Sequence, residues 1–264
     1  MTTFADARGY DFLMGRWSNL LGREFVGFAA IADGARVLDV GCGTGSLTGA
    51  TLTATRPVEV VGIDPSPTFV ELARDRLRDA RARFETGDAQ NLAFPDGYFG
   101  YTMAMLVLNF VPDRARAAGE MRRVTRGGGL VAACVWDYGG EMSMLRRFWD
   151  AAVALDPSAA SRHEGRMPLC RAGELGDLWR ATGLEQVREG PIVIETRFTS
   201  FDDFWKPFLS GVGPSGGYAA SLPSQMQQAL EAKLRAELWN DRPEEARTLP
   251  ARAWAVVGTV PLSI

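Results

Sequence analysis

The chain is poor in the residues that most often announce catalysis or metal binding: it holds one histidine, His163, and three cysteines, Cys42, Cys134 and Cys170, in 264 residues. Three scattered thiols make neither a disulfide framework nor a zinc site, and they suit a reducing, cytoplasmic setting. A lone histidine in a polar segment reads as a surface residue before it reads as a base. No apolar run approaches the roughly 18 residues of a membrane span, and no basic stretch followed by an apolar one opens the chain. The net charge of −3 lacks the basic footprint of a nucleic-acid binder. Arg74, Arg76, Arg78, Arg81 and Arg83 form a local cluster, but Asp75 and Asp79 interleave it, so it reads as a solvated helix face laced with ion pairs. No internal repeat or low-complexity tract is present. The length suits one large domain, or a domain with a substantial insertion.

Glycine, by contrast, is plentiful at 29 residues, and three glycines fall in Val37-Leu38-Asp39-Val40-Gly41-Cys42-Gly43-Thr44-Gly45-Ser46. Val37, Leu38 and Val40 give the apolar run of a central parallel strand, and the glycines let the following turn bend sharply and approach a ligand. A dinucleotide-binding turn would need glycine at position 46, where Ser46 stands. The spacing therefore argues against a nicotinamide-dependent oxidoreductase, as does Asp39 inside the strand end. Val58 to Ile63 reads as the next buried strand. It ends at Asp64, followed by Pro65, roughly 20 residues after the glycine turn, where an acid in such folds meets ribose hydroxyls. Ser66 and Pro67 predict a helix start, with Phe69, Val70, Leu72, Ala73 and Leu77 as its apolar stripe. A third strand near Ala82 to Thr86 leads into Gly87-Asp88-Ala89. Tyr101 to Leu108 reads as a fourth strand, Val111-Pro112-Asp113 opens a helix that ends at Arg126-Gly127-Gly128-Gly129, and Leu130 to Trp136 is a fifth strand.

The acid-x-Gly-x-Gly-x-Gly pattern from Asp39 to Gly45 resembles the cofactor loop of class I S-adenosylmethionine (SAM) dependent methyltransferases. Residues 33 to 137 as a whole resemble the small-molecule branch that includes the ubiquinone and menaquinone biosynthesis enzymes. The resemblance implies an α/β fold: a Rossmann-like, seven-stranded, mostly parallel sheet with helices on both faces, the last strand antiparallel, and helical cap insertions. It implies SAM as cofactor and S-adenosylhomocysteine as product. The residues it assigns to the cofactor are Asp39, Gly41, Cys42, Gly43, Gly45, Asp64, Pro65, Asp88, Ala89, Met105 and Leu106. Among them Asp88 would bond the adenine amino group and the Ala89 N–H would meet the ring. It also implies a division into an N-terminal helical lid (1–32), a SAM-binding core (33–140 and 173–264) and cap elements over the substrate site (141–172 and 201–240).

Two regions lie outside the nucleotide half. In the first, Tyr10-Asp11-Phe12-Leu13-Met14-Gly15-Arg16-Trp17-Ser18 precedes an apolar-periodic stretch through Leu20, Leu21, Phe25, Val26 and Phe28. In related methyltransferases such a segment folds over the cofactor. Tyr10 would then touch it and Arg16 would pair with its methionine carboxylate through a fork of N–H groups. The alternative is that Phe12, Leu13 and Trp17 pack a helix onto the sheet while Arg16 stays exposed. In the second region, helices are expected at Glu141–Leu155, Gly173–Thr182, Phe201–Leu209 and Gln225–Leu238, with strands at Leu184–Thr196 and Ala253–Val260. Ser210 to Gly217, rich in glycine and proline, is expected to be the most flexible loop. Trp136, Tyr138, Phe204, Trp205, Phe208 and Tyr218 either line an apolar substrate chamber or pack helices onto the sheet. Trp136, Tyr138, Trp205 and Tyr218 are the candidate substrate residues.

The chemistry the resemblance implies is direct displacement, in which a small aromatic or lipophilic acceptor attacks the sulfonium methyl in line. Alignment in a dry pocket carries most of such a reaction, and a base is needed only where the acceptor must lose a proton. Asp137 and Tyr138 lie at the carboxyl end of the fifth strand, where ligands sit in open α/β sheets, although Asp137 can equally cap a turn. No catalytic base and no metal is assigned. Asn109-Phe110-Val111-Pro112 does not match the Asn/Asp-Pro-Pro-aromatic motif of DNA amino-methyltransferases, and the three cysteines lack the pairing an arsenite methyltransferase needs. A SAM-binding sensor or scaffold without turnover stays open, because binding and turnover share one motif. The expected partner is a small-molecule acceptor, with no nucleic acid and no membrane span, in a monomer or homodimer.

Overall fold

The structure, a computed structural model, describes residues 6–240 and 242–262. It contains a seven-stranded sheet in the order β3-β2-β1-β4-β5-β7-β6. The strands are β1 (Arg36–Val40), β2 (Glu59–Asp64), β3 (Ala82–Thr86), β4 (Phe99–Met105), β5 (Thr125–Trp136), β6 (Glu185–Phe198) and β7 (Arg247–Thr259). β1 to β5 pair in parallel, and β7 runs antiparallel to β5. β1 and β2 are buried almost throughout and β4 is buried but for one residue. Side chains on both faces of a central parallel strand meet helices, which is why these segments read as unbroken apolar runs.

The helices are α1 (Ala7–Tyr10), α2 (Arg16–Ala29), α3 (Ser46–Ala54), α4 (Pro67–Arg76), α5 (Arg114–Val124), α6 (Ser143–Leu155), α7 (Glu174–Ala181), α8 (Phe201–Trp205), α9 (Gly213–Ser221) and α10 (Ser224–Trp239). Between α1 and α2 the chain makes a π-helical turn, Asp11–Gly15. α3 packs on β2, α4 on β2 and β3, and α5 on β4 and β5. By compactness the chain divides in two. One unit holds Ser18–Trp136, Pro168–Ile192 and the segment from Ala253. The other holds the segment through Trp17, Asp137–Met167 and Val193–Arg252.

Four local expectations are corrected. The fourth strand stops at Met105, because Leu106 takes a left-handed φ of 62° and Leu108–Phe110 turns as a 3-10 helix. The glycine run after α5 does not separate helix from strand but lies inside β5: pairing jumps from Phe99–Thr125 to Tyr101–Leu130, leaving Arg126–Gly129 as a bulge. A Cβ on Gly129 would stand 2.6 Å from the Gly100 carbonyl oxygen, so the bulge needs glycine there. The segment expected to be the loosest loop is largely helical. Pro214 sits in the first turn of α9, where its missing N–H costs nothing, and Lys206–Ser210 turns as a 3-10 helix. Finally, the arginine cluster is not one helix face. α4 ends at Arg76, Arg81 grips Asp79 at 2.7 Å, and Arg83 on β3 pairs with Glu85 at 2.7 Å.

Candidate functional site

The glycine turn leaves the carboxyl end of β1 with Gly41, Gly43 and Gly45 all at positive φ (72°, 53° and 89°). Such angles disfavour any residue with a Cβ. Space reinforces the demand at two of them. A Cβ on Gly41 would lie 2.5 Å from a Val107 methyl, and one on Gly45 would lie 2.8 Å from Leu77 Cδ1. The turn is tied to β2 by its backbone: the Gly41 and Cys42 N–H groups both donate to the Ile63 carbonyl at 2.8 Å. Gly62 allows this approach, since a Cβ there would meet the Phe84 ring at 2.6 Å and Cys42 Cβ at 3.0 Å.

Asp64, at the end of β2, completes the cradle. Its Oδ2 accepts from the Gly43 N–H at 3.0 Å and its Oδ1 from the Ser66 N–H at 2.9 Å. Burial raises its carboxyl above the usual range, opposed by the Ser66 and Gly43 donors. The Ser66 side chain makes no capping hydrogen bond at α4, so Asp64 rather than Ser66 organises that entry. Pro65 is exposed beside it.

Asp39 is the second acid of the cradle and is only 1% exposed. Thr48, in the first turn of α3, donates to Asp39 Oδ2 at 2.7 Å, while Oδ1 is buried with no hydrogen-bond donor. Burial pushes this carboxyl up to about 7, the Thr48 hydrogen bonds oppose the shift, and the nearby Asp64 charge adds to it. A buried acceptor without a donor costs about 1–3 kcal/mol. An incoming N–H or cationic group removes that cost. Cys42 is buried, and its thiol is held well above the ordinary value by burial first and by Asp39 and Asp64 next, so it stays a neutral wall.

Asp88 follows β3 with its carboxylate exposed, accepting from the Gln90 N–H at 2.8 Å, and Ala89 beside it is buried. At the end of β4, Met105 is buried and Leu106 holds its left-handed conformation with its N–H on the Cys134 carbonyl at 2.8 Å. A non-glycine residue at positive φ costs about 1–3 kcal/mol and clusters at functional sites. Parallel pairing of β1 with β2 and β4, and of β2 with β3, thus brings the carboxyl ends that carry Asp39, Gly41–Gly45, Asp64, Asp88 and Met105–Leu106 to one edge of the sheet. Two participants escape a reading of the sequence: Val107, which fills the space a Gly41 side chain would take, and Thr48, which clamps Asp39. Each is an ordinary residue whose role exists only through a contact.

The remaining candidates lie in the other unit, apart from Trp136. Tyr10 ends α1, half-buried. Arg16 already holds a carboxylate of the chain itself: Nη1 meets the Asp203 carboxylate at 2.9–3.0 Å, Nη2 bonds the Asp203 carbonyl at 3.2 Å, and the guanidinium lies 4.1 Å from the Trp17 ring centroid. Trp205 and Tyr218 are buried among aromatic side chains, Tyr218 5.4 Å from Trp149 and Trp205 6.2 Å from Phe208 between ring centroids. Phe204 and Phe208 are fully buried in the same cluster, so packing accounts for these rings. Tyr138 is buried, as is Trp136, whose indole N–H has no acceptor. Asp137 is committed to a turn: Arg252 grips Oδ2 through Nε and Nη2 at 2.8 and 2.6 Å and reaches Glu141 at 3.1 Å. His163 is not a free surface residue. It is half-buried, its Nδ1 accepts from the Gly165 N–H at 2.7 Å, and burial lowers its pKa.

Among the described residues no group of three metal-ligating side chains gathers, and no helix is long and apolar enough to cross a membrane.

Known proteins resemble the chain in sequence and in fold. A family model described as a methyltransferase domain matches residues 38–133. The chain is 33% identical over 131 residues to the 2-methyl-6-phytyl-1,4-hydroquinone methyltransferase of Synechocystis, a match covering 49% of this chain and 41% of that enzyme. It is 30% identical over 208 residues to an uncharacterized protein of Mycobacterium tuberculosis, covering 74% of this chain and 70% of the relative. Among solved structures, phosphoethanolamine N-methyltransferase 2 of Haemonchus contortus in complex with S-adenosyl-L-methionine superposes with a TM-score of 0.59 at 16% identity, over 97% of this chain and 57% of that one.

Proposed function

From the premise that the chain belongs to the class I SAM-dependent methyltransferase family, we propose that it binds SAM at the carboxyl edge of β1, β2 and β4 and transfers the methyl group to a small aromatic or lipophilic acceptor. The observation that carries this reading is the cradle of three left-handed glycines tied to Asp64 and backed by the orphaned oxygen of Asp39.

The residues present fit the group. At Gly43 a Cβ would meet nothing nearer than the Phe69 ring at 3.7 Å, so the backbone there admits a ligand at van der Waals distance, and the family assigns that turn to the cofactor. Asp64 takes the ribose hydroxyls, and Asp88 with Ala89 takes the adenine. Asp39 Oδ1, dry and without a donor, takes an N–H or ammonium of the methionine portion. Met105 and Leu106 form an apolar wall. When bound, SAM supplies an electrophilic methyl on a sulfonium. The chain contributes orientation and exclusion of water, which for an in-line displacement supplies several kcal/mol of barrier reduction by order of magnitude. Asp137 is locked by Arg252 and Cys42 is a neutral thiol, so neither is assigned as a base. The acceptor class follows the hydroquinone named for the Synechocystis relative.

The experiment is transfer of tritiated methyl from SAM into phenolic and quinol metabolite pools. Labelled small-molecule product is the expected result. Tight SAM binding with no label in any pool would favour a non-catalytic sensor instead.

A further inference from the structure

A second buried acid lies outside the cradle. Glu164 is 4% exposed, in a 3-10 turn after α6, and its carboxylate accepts from the Trp149 indole N–H of α6 and from the Ser215 backbone N–H in the first turn of α9. α9 is an unusual helix to find ordered. Its sequence, Gly-Pro-Ser-Gly-Gly-Tyr-Ala-Ala-Ser, has three glycines, each about 1 kcal/mol worse than alanine in a helix. Gly211 before it and Gly213 at its first position are both left-handed, at φ 76° and 69°. Its own propensity therefore does not hold it, and its tertiary contacts must. Gly216 rests against the Phe208 carbonyl oxygen, 3.2 Å from where its Cβ would stand. Tyr218 packs on Trp149 and bonds Asp156, and the Gln227 side chain donates to the Ala219 carbonyl at 3.2 Å. Glu164 reaches the first turn of the helix through the Ser215 N–H.

We propose that residues 211–222 form a hinged strap, with Gly211 and Gly213 as the hinge and the Glu164 carboxyl as a proton-dependent latch that holds α9 against α6. Burial raises the latched carboxyl to about 7, with the Trp149 and Ser215 donors opposing. In the open, hydrated state the same group returns to its ordinary value near 4.5. The latched state thus binds the proton more tightly, and raising the pH through that window favours opening. From pH 6 to 8 the opening constant rises about tenfold. His163, beside the latch, is held below its usual pKa by burial, with Asp150 opposing and Arg166 and Arg146 reinforcing. At the far end of α9, Tyr218 is raised by burial and by Asp156, and Asp156 is lowered by Ser158, so the one stays protonated and the other ionised. Arg162 lies over the Tyr218 ring, 5.6 Å from its centroid.

The inference stands apart from the cofactor reading and is tested without substrate or SAM. Backbone amide hydrogen exchange is measured on the full chain at pH 6, 7 and 8, with rates corrected for intrinsic exchange. The expected result is a roughly tenfold loss of protection in α9 from pH 6 to 8 that exceeds any change in β4, and its disappearance in Glu164→Gln. The proposal is overturned if α9 protection is flat with pH, if it changes only in step with β4, or if the pH response survives in Glu164→Gln. Should that variant fail to fold, the wild-type contrast between α9 and β4 decides alone.

Discussion

Asp39 and Asp64 do different work with the same functional group. Asp64 spends both oxygens on backbone donors, whereas Asp39 keeps one oxygen without a donor. Replacing Asp64 by Asn weakens its two charge-assisted contacts and, with them, the proposed ribose site. Calorimetry is expected to show S-adenosylhomocysteine binding about tenfold or more weaker, the scale of one hydrogen bond to a charged group; unchanged affinity would contradict the assignment of the ribose acid. For Asp39 the folded pKa of about 7 lies above the ordinary 3.8. The folded state then holds the proton more tightly, so this group's contribution to stability is fully present below pH 3.8 and is lost as pH rises through about 7. Between pH 5 and 8 the loss is on the order of 2 kcal/mol. Urea unfolding at those two pH values is expected to show a smaller drop for Asp39→Asn than for the wild type, and equal drops would refute the buried, proton-holding carboxyl. The positions of both acids were legible in the sequence from their strand ends. Which of them would carry an orphan oxygen was not, because that depends on Thr48 reaching back from α3.

At the scale of elements, the glycine turn is specified twice, by backbone angle and by space. Gly41→Ala forces a Cβ into a left-handed residue and against Val107. A loss of about 1–3 kcal/mol of stability is expected, together with loss of S-adenosylhomocysteine binding. Val107→Ala in the same chain removes the two colliding methyls but leaves its own Cβ 2.8 Å from the new one and the dihedral strain in place, so thermal denaturation should show partial rescue at most; full rescue would mean that the dihedral contributes nothing. The turn after β5 has its own clamp. Arg252→Met leaves the buried Asp137 carboxylate without its cation and is expected to cost about 3 kcal/mol by urea unfolding, part of which Asp137→Asn restores. Elements with strong periodicity, such as α6, α10 and the central strands, were readable from residue order. The strand ends were not: Leu106 and the Arg126–Gly129 bulge follow pairing partners far away in sequence. α9 was misread for an instructive reason. Its glycines truly disfavour a helix, and what overrides them is tertiary, in Glu164, Phe208 and Trp149.

For the whole molecule, the resemblance carried by the motifs from Asp39 to Trp136 implied a seven-stranded, mostly parallel sheet with an antiparallel last strand, which the structure displays; the strand order itself is read from the pairing. The later half of the chain offered no such landmarks. Its aromatic residues suit a chamber or a core equally in composition, and only their mutual ring packing reveals how they are used. Arg16 illustrates the same point, since its carboxylate partner, Asp203, lies 187 residues away. The central proposal is that the Gly41–Gly45 cradle with Asp39 and Asp64 holds SAM. Thermal unfolding with saturating S-adenosylhomocysteine, beside the same experiment with NAD, measures it directly. At a hundred times its dissociation constant, S-adenosylhomocysteine should add about 2.7 kcal/mol and raise the Tm by a few degrees, while NAD leaves it unchanged. Stabilisation by NAD and none by S-adenosylhomocysteine would contradict the account.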